Sequence, residues 1–416
     1  MRRISPLTAV FLTVFFDILS FGSVIPDVQL RAEHLVKDWG SIGGVSLIPY
    51  TGLLIGFTIA LYSIAQFAMA PYLGRLSDHA GRRRVLIITC SLAVVSSAMY
   101  AYTSHLAIMW ISRILLGMAG ANLGVAQAYI ADVTTPEERS KSMGILGLAF
   151  GLGFMFGPPF GVWLLHLGND SPFWLGWGSA ILAAINLLFI IFFLPEPDVQ
   201  RAPPSGRTNR IEQIKVAFGT PELRLLLTLF FVANFAFTNL ESTYYLVGEF
   251  VYKISKAETT IVLVVVGIIA AVVQGGLIRM LIPKFGERNL IKAGYILQTP
   301  AIAAIPFVMP WWPVILGAIV LGTGSGISQP SLNGLISQAA PKEMQGGVFG
   351  VTQSLGAFAR ILGPILANWM FQIQTWLPYI VAGVLMLGPT VMAWFLPEPK
   401  EQEGDSVDPN STEVTS

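Results

Sequence analysis

This chain is poor in cysteine and in charge. Cys90 is the single cysteine in 416 residues, which excludes an intramolecular disulfide and implies no oxidising compartment. Charged residues make up 12% of the sequence, against roughly 25% in a soluble domain. Walker A, His-Glu-x-x-His and nucleophile-elbow patterns are absent from the sequence, so neither nucleotide chemistry nor hydrolysis has its usual signature. The four histidines, His34, His79, His105 and His166, fall in or beside polar connections. None has a companion at metal-ligand spacing, so no metal and no cofactor are expected. A net charge of +1 gives no reason to expect nucleic acid.

What is present is apolar length. Hydrophobic residues reach 54% and mean hydropathy is +0.65. Runs of about twenty apolar residues recur between short polar connections, the pattern of a polytopic helical membrane protein. Spans are expected near 6–26, 49–72, 85–103, 105–130, 142–166 and 172–194, then near 223–247, 259–282, 290–309, 311–337, 346–371 and 376–396. Met1-Arg-Arg opens the first run like a signal peptide, but that run has no small-residue cleavage site before Pro26 and contains Asp17. A retained first helix is expected.

Twelve crossings put both termini on one side. With that side cytoplasmic, all but six of the 25 Lys and Arg lie inside: Arg31, Lys37, Lys253 and Lys256 fall outside, and Arg113 and Arg360 within helices. The opposite orientation would violate the positive-inside rule. Residues 195–222 form a basic, Pro-rich linker ending in a short amphipathic stretch, and the acidic, Ser/Thr-rich tail 401–416 has no apolar pattern. The expected domains are therefore 1–194, a linker 195–222, 223–400, and a disordered tail 401–416.

The two halves repeat. Phe193-Leu-Pro-Glu-Pro197 closes the first and Phe395-Leu-Pro-Glu-Pro399 the second; Gly81-Arg-Arg matches Gly286-Glu-Arg; Thr135-Pro136-Glu-Glu matches Ala340-Pro341-Lys-Glu; Gly157-Pro158 matches Gly363-Pro364. Four matches in order at nearly one offset indicate a tandem duplication. Two parallel six-helix halves form a transporter architecture, with the substrate site between them near mid-membrane.

The connection Gly74-Arg-Leu-Ser-Asp78-His-Ala-Gly81-Arg82-Arg83-Arg84 holds four arginines around an acid. Its glycines permit a tight reversal, and Asp78 and Arg82 are four apart, close enough to pair if helical. This loop resembles the signature between helices 2 and 3 of the major facilitator superfamily. Within that superfamily the chain is similar to the twelve-helix drug/proton antiporters of the tetracycline-efflux type, over residues 5–400. Arg113-Ile-Leu-Leu-Gly117 resembles the intramembrane arginine motif of helix 4, and Tyr129-Ile-Ala-Asp132-Val-Thr the end of that helix in tetracycline exporters. Gly153-Phe-Met-Phe-Gly157-Pro158-Pro-Phe-Gly161 resembles the helix 5 antiporter motif, with Val162 where a further glycine is frequent. Thr13-Val-Phe-Phe-Asp17 resembles the opening helix of those exporters. The resemblance implies an all-α membrane protein of twelve helices in two pseudo-symmetric six-helix bundles. It implies alternating access, with Gly74, Asp78, Gly81, Arg82, Arg83 and Asp132 as a gate that latches the outward-facing state, Asp78 lying at the start of helix 11. Two acids of the exporters, on helices 3 and 9, fall here on Ser96 and Gln298. The set that handles a metal-chelated drug is incomplete, which implies efflux of something other than tetracycline.

An ionisable group in lipid costs from about 3 to over 10 kcal/mol unless partnered. Asp17 lies roughly 16 Å along the first helix, near mid-bilayer, where a carboxyl can bind and release protons. Glu241 is the second-half acid expected to face the cavity, with Asn234, Asn239, Tyr244 and Tyr245 alongside. Arg113 and Arg360 are the deep cations, expected to pair with Asp17 and Glu241 respectively or to bind an anionic substrate. Gln66, Asn122, Gln127, Gln298 and Asn333 read as interhelical glue, and Gln274 and Gln329 as cavity residues.

The expected function is proton-coupled efflux of small amphipathic compounds by a monomer in an inner membrane, its partners being substrate, protons and lipid. A symporter or facilitator for sugars or organic anions is the alternative. From other classes, an enzyme lacks a nucleophile–base set, and a sensor lacks room in the linker for an output domain.

Overall fold

The computed structural model describes residues 5–42, 45–134, 136–197, 210–308, 312–341 and 345–396. Helices α1 (Pro6–Trp39), α2 (Thr51–Ala80), α3 (Arg82–Tyr100), α4 (Leu106–Gly120), α5 (Leu123–Val133), α6 (Pro136–Leu167) and α7 (Pro172–Phe193) form the first half. Helix α8 (Arg210–Ala217) lies in the linker. The second half holds α9 (Pro221–Val247), α10 (Lys256–Val272), α11 (Ile278–Ala304), α12 (Val314–Ala339), α13 (Gln345–Ile373) and α14 (Leu377–Met392). Helices α1, α7 and α9 start alike: Ser5, Ser171 and Thr220 accept a first-turn amide on their side chains, and proline follows in the first turn. That pairing supplies an orphan donor with an acceptor and presets the first helical φ.

Nine described segments are long and apolar enough to cross a membrane. One of them, Lys256–Phe307, holds two crossings, because Gly286 breaks it at φ 71° and ψ 153°. Gly81, its repeat mate, turns α2 into α3 at φ 109° and ψ 143°. Only glycine adopts this backbone without strain, so the two matched Gly-x-Arg segments are one turn used twice. The apolar stretch Gly151–Leu167 of α6 and helix α12 complete twelve crossings, with α4 and α5 sharing one.

Packing repeats as the sequence does. In the first half α1 lies on α6 and α7, α3 on α4 and α7, and α2 on α4; in the second α9 lies on α13 and α14, α11 on α12 and α14, and α10 on α12. The halves meet through α2 with α13, α6 with α10, and α1 with α9. Close helix approach depends on glycine. A Cβ on Gly161 would stand 1.9 Å from Ser23 O, and one on Gly157 2.8 Å from Gly22 Cα, so α1 and α6 touch backbone to backbone.

Three boundaries differ from the sequence expectation. Helix α1 runs past Pro26 to Trp39 because Val24, Val28, Ala32, Leu35 and Val36 bury in one core cluster, enough to outweigh the about 3 kcal/mol cost of an interior proline. Helix α2 continues into the arginine signature as far as Ala80, and Asp78 and Arg82 pair across the turn at Gly81, not along one helix. The fourth crossing is broken at Ala121–Asn122. A two-residue ladder, Ser41–Ile42 with Val45–Ser46, is the only sheet among the described residues. Residues 198–209 of the expected linker and the tail 401–416 lie outside the described residues.

One face of the bundle, here the terminal face, carries the start of α1, the α2–α3 turn and α8. Between described residues, a set of hydrogen bonds and ion pairs joins the halves toward the opposite, distal face. Gln372 of α13 donates to Ile48 O and Pro49 O and accepts from Gly52 N at 2.7 Å. Gln29 of α1 donates to Glu241 O at 3.0 Å. Lys256 of α10 reaches Asp27 at 3.3 Å and Asp170 at 3.0 Å. The molecule is shut at the distal face, while Gln353, toward the terminal face on the cavity wall, is exposed.

Candidate functional site

A cavity of about 260 Å³ lies between the halves, lined mainly from α1, α2, α4, α9 and α13, with Ala93 of α3, Leu123 of α5 and Phe154 of α6. Its charged groups are Asp17, Arg113, Glu241 and Arg360. Tyr62, Gln66, Asn122, Gln29 and Gln353 add polar surface, and Phe21, Ile25, Ile59, Leu116 and Phe154 an apolar one. The ring of Phe21 stands 4.5 Å from that of Tyr62 and 5.8 Å from that of Phe154.

The break in the fourth crossing builds one end of this site. Asn122 N bonds Ala119 O at 3.1 Å, a three-residue closure instead of the helical four. Gln66 Nε2 donates to Gly120 O at 2.9 Å, occupying a carbonyl at the break. The freed Asn122 side chain donates to Asp17 Oδ2. Cys90 Sγ lies 4.0 Å from Asp17 Oδ1, and Asn186 donates to both Thr13 O and Cys90 Sγ.

Neither expected acid–arginine ion pair is formed among the described residues. Arg113 lies with its guanidinium 5.4 Å from the centroid of Tyr62, a cation–π contact, and its buried Nε has no hydrogen-bond partner. Arg360 and Glu241 attract each other across the cavity without closing to salt-bridge distance. The remaining expected cavity residues lie elsewhere. Asn234 and Asn239 bond back to Phe230 O and Phe235 O on their own helix. Tyr244 is buried in the second-half core. Gln274 is exposed in a π turn, Val273–Leu277, and Gln329 is half-buried on α12 away from the cavity. Asn122 and Gln66, read from sequence as glue, line the cavity. Ser96 and Gln298 brace neighbouring helices, bonding Ser112 O at 2.8 Å and Ser328 Oγ at 2.9 Å.

At the terminal face Arg82 joins three partners. It meets Asp78 at 2.5 Å, Asp132 at 2.9 Å and Ser77 Oγ at 2.6 Å. Glu196, from the repeated Phe-Leu-Pro-Glu-Pro segment, accepts from Arg82 N at 2.7 Å and Arg83 N at 3.1 Å, capping the positive end of α3. Arg83 donates to Ile191 O, and its counterpart Arg288 donates to Trp394 O at 2.8 Å. A Cβ on Gly81 would meet the Glu196 carboxylate at 2.9 Å, whereas Gly74 has open space around it. The cluster is formed while the halves are joined at the distal face. The side chains at the very start of α13, where Asp78 was expected to dock, lie outside the described residues.

A profile described as Major Facilitator Superfamily matches residues 10–364. The class C tetracycline resistance protein of Escherichia coli is 30% identical over 393 residues, covering 93% of this chain and 96% of that one. Multidrug resistance protein 2 of Bacillus subtilis strain 168 is 28% identical over 403 residues, covering 94% of each. The crystal structure of the human organic anion transporter MFSD10 (TETRAN) is 27% identical with a TM-score of 0.69, over 93% of this chain and 98% of that one. A broken helix beside a central charged cavity, two repeated six-helix halves and these matches converge: the chain is a multi-pass membrane transporter and belongs to the major facilitator superfamily.

Proposed function

We propose that this transporter exports small amphipathic compounds in exchange for protons, by alternating access in an inner membrane, and acts as a monomer. Its halves are residues 1–194 and 223–400, joined by 195–222, with both termini cytoplasmic. The terminal face is then the inner one, and the described conformation faces inward. The observation that carries this reading is Asp17: a carboxylate at mid-membrane on the cavity wall, held by an amide and, among the described residues, by no cation. Such a group can take up and release a proton without breaking an ion pair. Tetracycline and multidrug resistance proteins among the relatives support efflux.

Asp78, Arg82 and Asp132 serve as the gate, tying the α2–α3 turn to the inner end of the fourth crossing so that they move as one body. Arg113 and Arg360 hold the cavity's positive charge, and Gly153, Gly157, Pro158 and Gly161 let α6 slide against α1 without losing contact. In proteoliposomes with an imposed pH gradient, Asp17→Asn is expected to abolish uphill movement while substrate–substrate exchange persists at substrate concentrations raised to offset weaker binding. Wild-type accumulation by that variant overturns the coupling role. Orientation is tested with single cysteines in a Cys90→Ser background and an impermeant thiol reagent; labelling of 195–222 from outside overturns the topology.

A further inference from the structure

We propose that the cavity takes a zwitterionic amphipathic compound, its anionic end on Arg113 and its cationic end on Asp17. This rests on the exchange reading above and names its substrate class. The starting point is two opposite charges in one half and on one wall that do not pair. Arg113 is buried, its Nε has no acceptor, and its guanidinium lies over the Tyr62 ring. Asp17 has the Asn122 amide and a distant thiol, and no cation at salt-bridge range among the described residues. A buried charge without a counter-charge is costly. Two such charges of opposite sign would cancel each other's cost if they could meet.

They are held apart by the helix that links them. Arg113 and Asn122 are nine positions apart on the fourth crossing, about 14 Å of backbone rise, and Asn122 holds Asp17. The gap is long for a direct pair and suits a ligand with a charge at each end. Its wall is aromatic and aliphatic, with Phe21, Phe154 and Leu116 facing the cavity, so the middle of the ligand is an aryl or similarly flat apolar body. Arg360 and Glu241, both on the second half, attract each other without closing to salt-bridge distance, whereas Arg113 faces the Tyr62 ring and Asp17 the Asn122 amide. A cationic group at Asp17 competes with a proton for the same carboxylate. Occupancy by substrate or by proton, not both, is what exchange requires.

The test uses purified protein in nanodiscs without a proton gradient, so it is independent of coupling. Four matched probes are titrated calorimetrically: 6-(aminomethyl)-2-naphthoic acid, 6-methyl-2-naphthoic acid, 2-(aminomethyl)-6-methylnaphthalene and 2,6-bis(hydroxymethyl)naphthalene. The zwitterion is expected to bind at least tenfold tighter than the anion, the cation or the neutral diol. Arg113→Gln should cost the zwitterion and the anion tenfold and leave the cation unchanged; Asp17→Asn should cost the zwitterion and the cation and leave the anion. A singly charged or neutral probe that binds as tightly as the zwitterion overturns the proposal, as does a uniform loss across all probes in folded Arg113→Gln. Should that variant fail to fold, Arg113→Lys and the wild-type ranking decide: the lysine variant must keep the preference for the zwitterion over the cation. Probe ranking as expected with pH-driven transport intact in Asp17→Asn removes the coupling role alone.

Discussion

Asp17 and Glu241 stand on the first helix of each half in unlike surroundings, one facing an amide and the other a guanidinium. Removing Glu241's charge leaves Arg360 uncompensated. Glu241→Gln is therefore expected to shift selection toward anionic compounds several-fold, read by competition among compounds of differing charge in proteoliposomes. The four deep charges were legible in sequence because a charged residue in an apolar run is conspicuous whatever its direction. Asn122 was not, since an amide on an apolar helix looks the same whether it braces a neighbour or faces a cavity. Asn239 and Tyr244 show the converse error. They follow the cavity face of Thr238, Glu241 and Ser242 along α9 by one or two positions, a turn of more than 100° away from it. Gly81 offers a stability test at this scale: Gly81→Ala adds a Cβ at φ 109° against Glu196 and should cost about 1–3 kcal/mol, seen as a lowered melting temperature in detergent.

Among the elements, α1 and α6 show how glycine sets helix separation. The spacing of Gly153, Gly157 and Gly161 by four puts them on one face, and each added Cβ would run into α1. Gly161→Ala meets backbone, which cannot swing aside, so a loss of about 3 kcal/mol is expected. Gly74→Ala has open space and should melt as wild type does. Helix propensity favours alanine at both sites, so equal losses in both would show that contact with α1 is not what governs Gly161. The repeats, the turn glycines and the apolar runs made the twelve crossings readable. The extension of α1 past Pro26 and the break at Asn122 were not, because both depend on partners distant in sequence: the α1 extension on a core shared with α3, α4, α6 and α7, the break on Gln66 from α2.

For the whole molecule, the distal closure is the part most open to perturbation. Asp27 keeps Arg31 at 3.2 Å and Tyr100 at 2.9 Å within its own half, so separation of the halves strips away Lys256 alone. Lys256→Gln should thus favour the distal-open conformation by on the order of 1 kcal/mol, a fivefold shift in population. Faster thiol labelling of a cysteine placed on the distal wall of the cavity would register it; an unchanged rate would assign closure to Gln372 and Gln29. The position of the chain's one thiol bears on how any such cycle is followed. Cys90 Sγ sits 4.0 Å from Asp17 Oδ1, and a sulfhydryl stretching vibration absorbs where protein backbone and water are nearly transparent. Each change in the charge of Asp17 would move that band, so the protein carries an unlabelled infrared reporter beside the carboxylate whose protonation is in question.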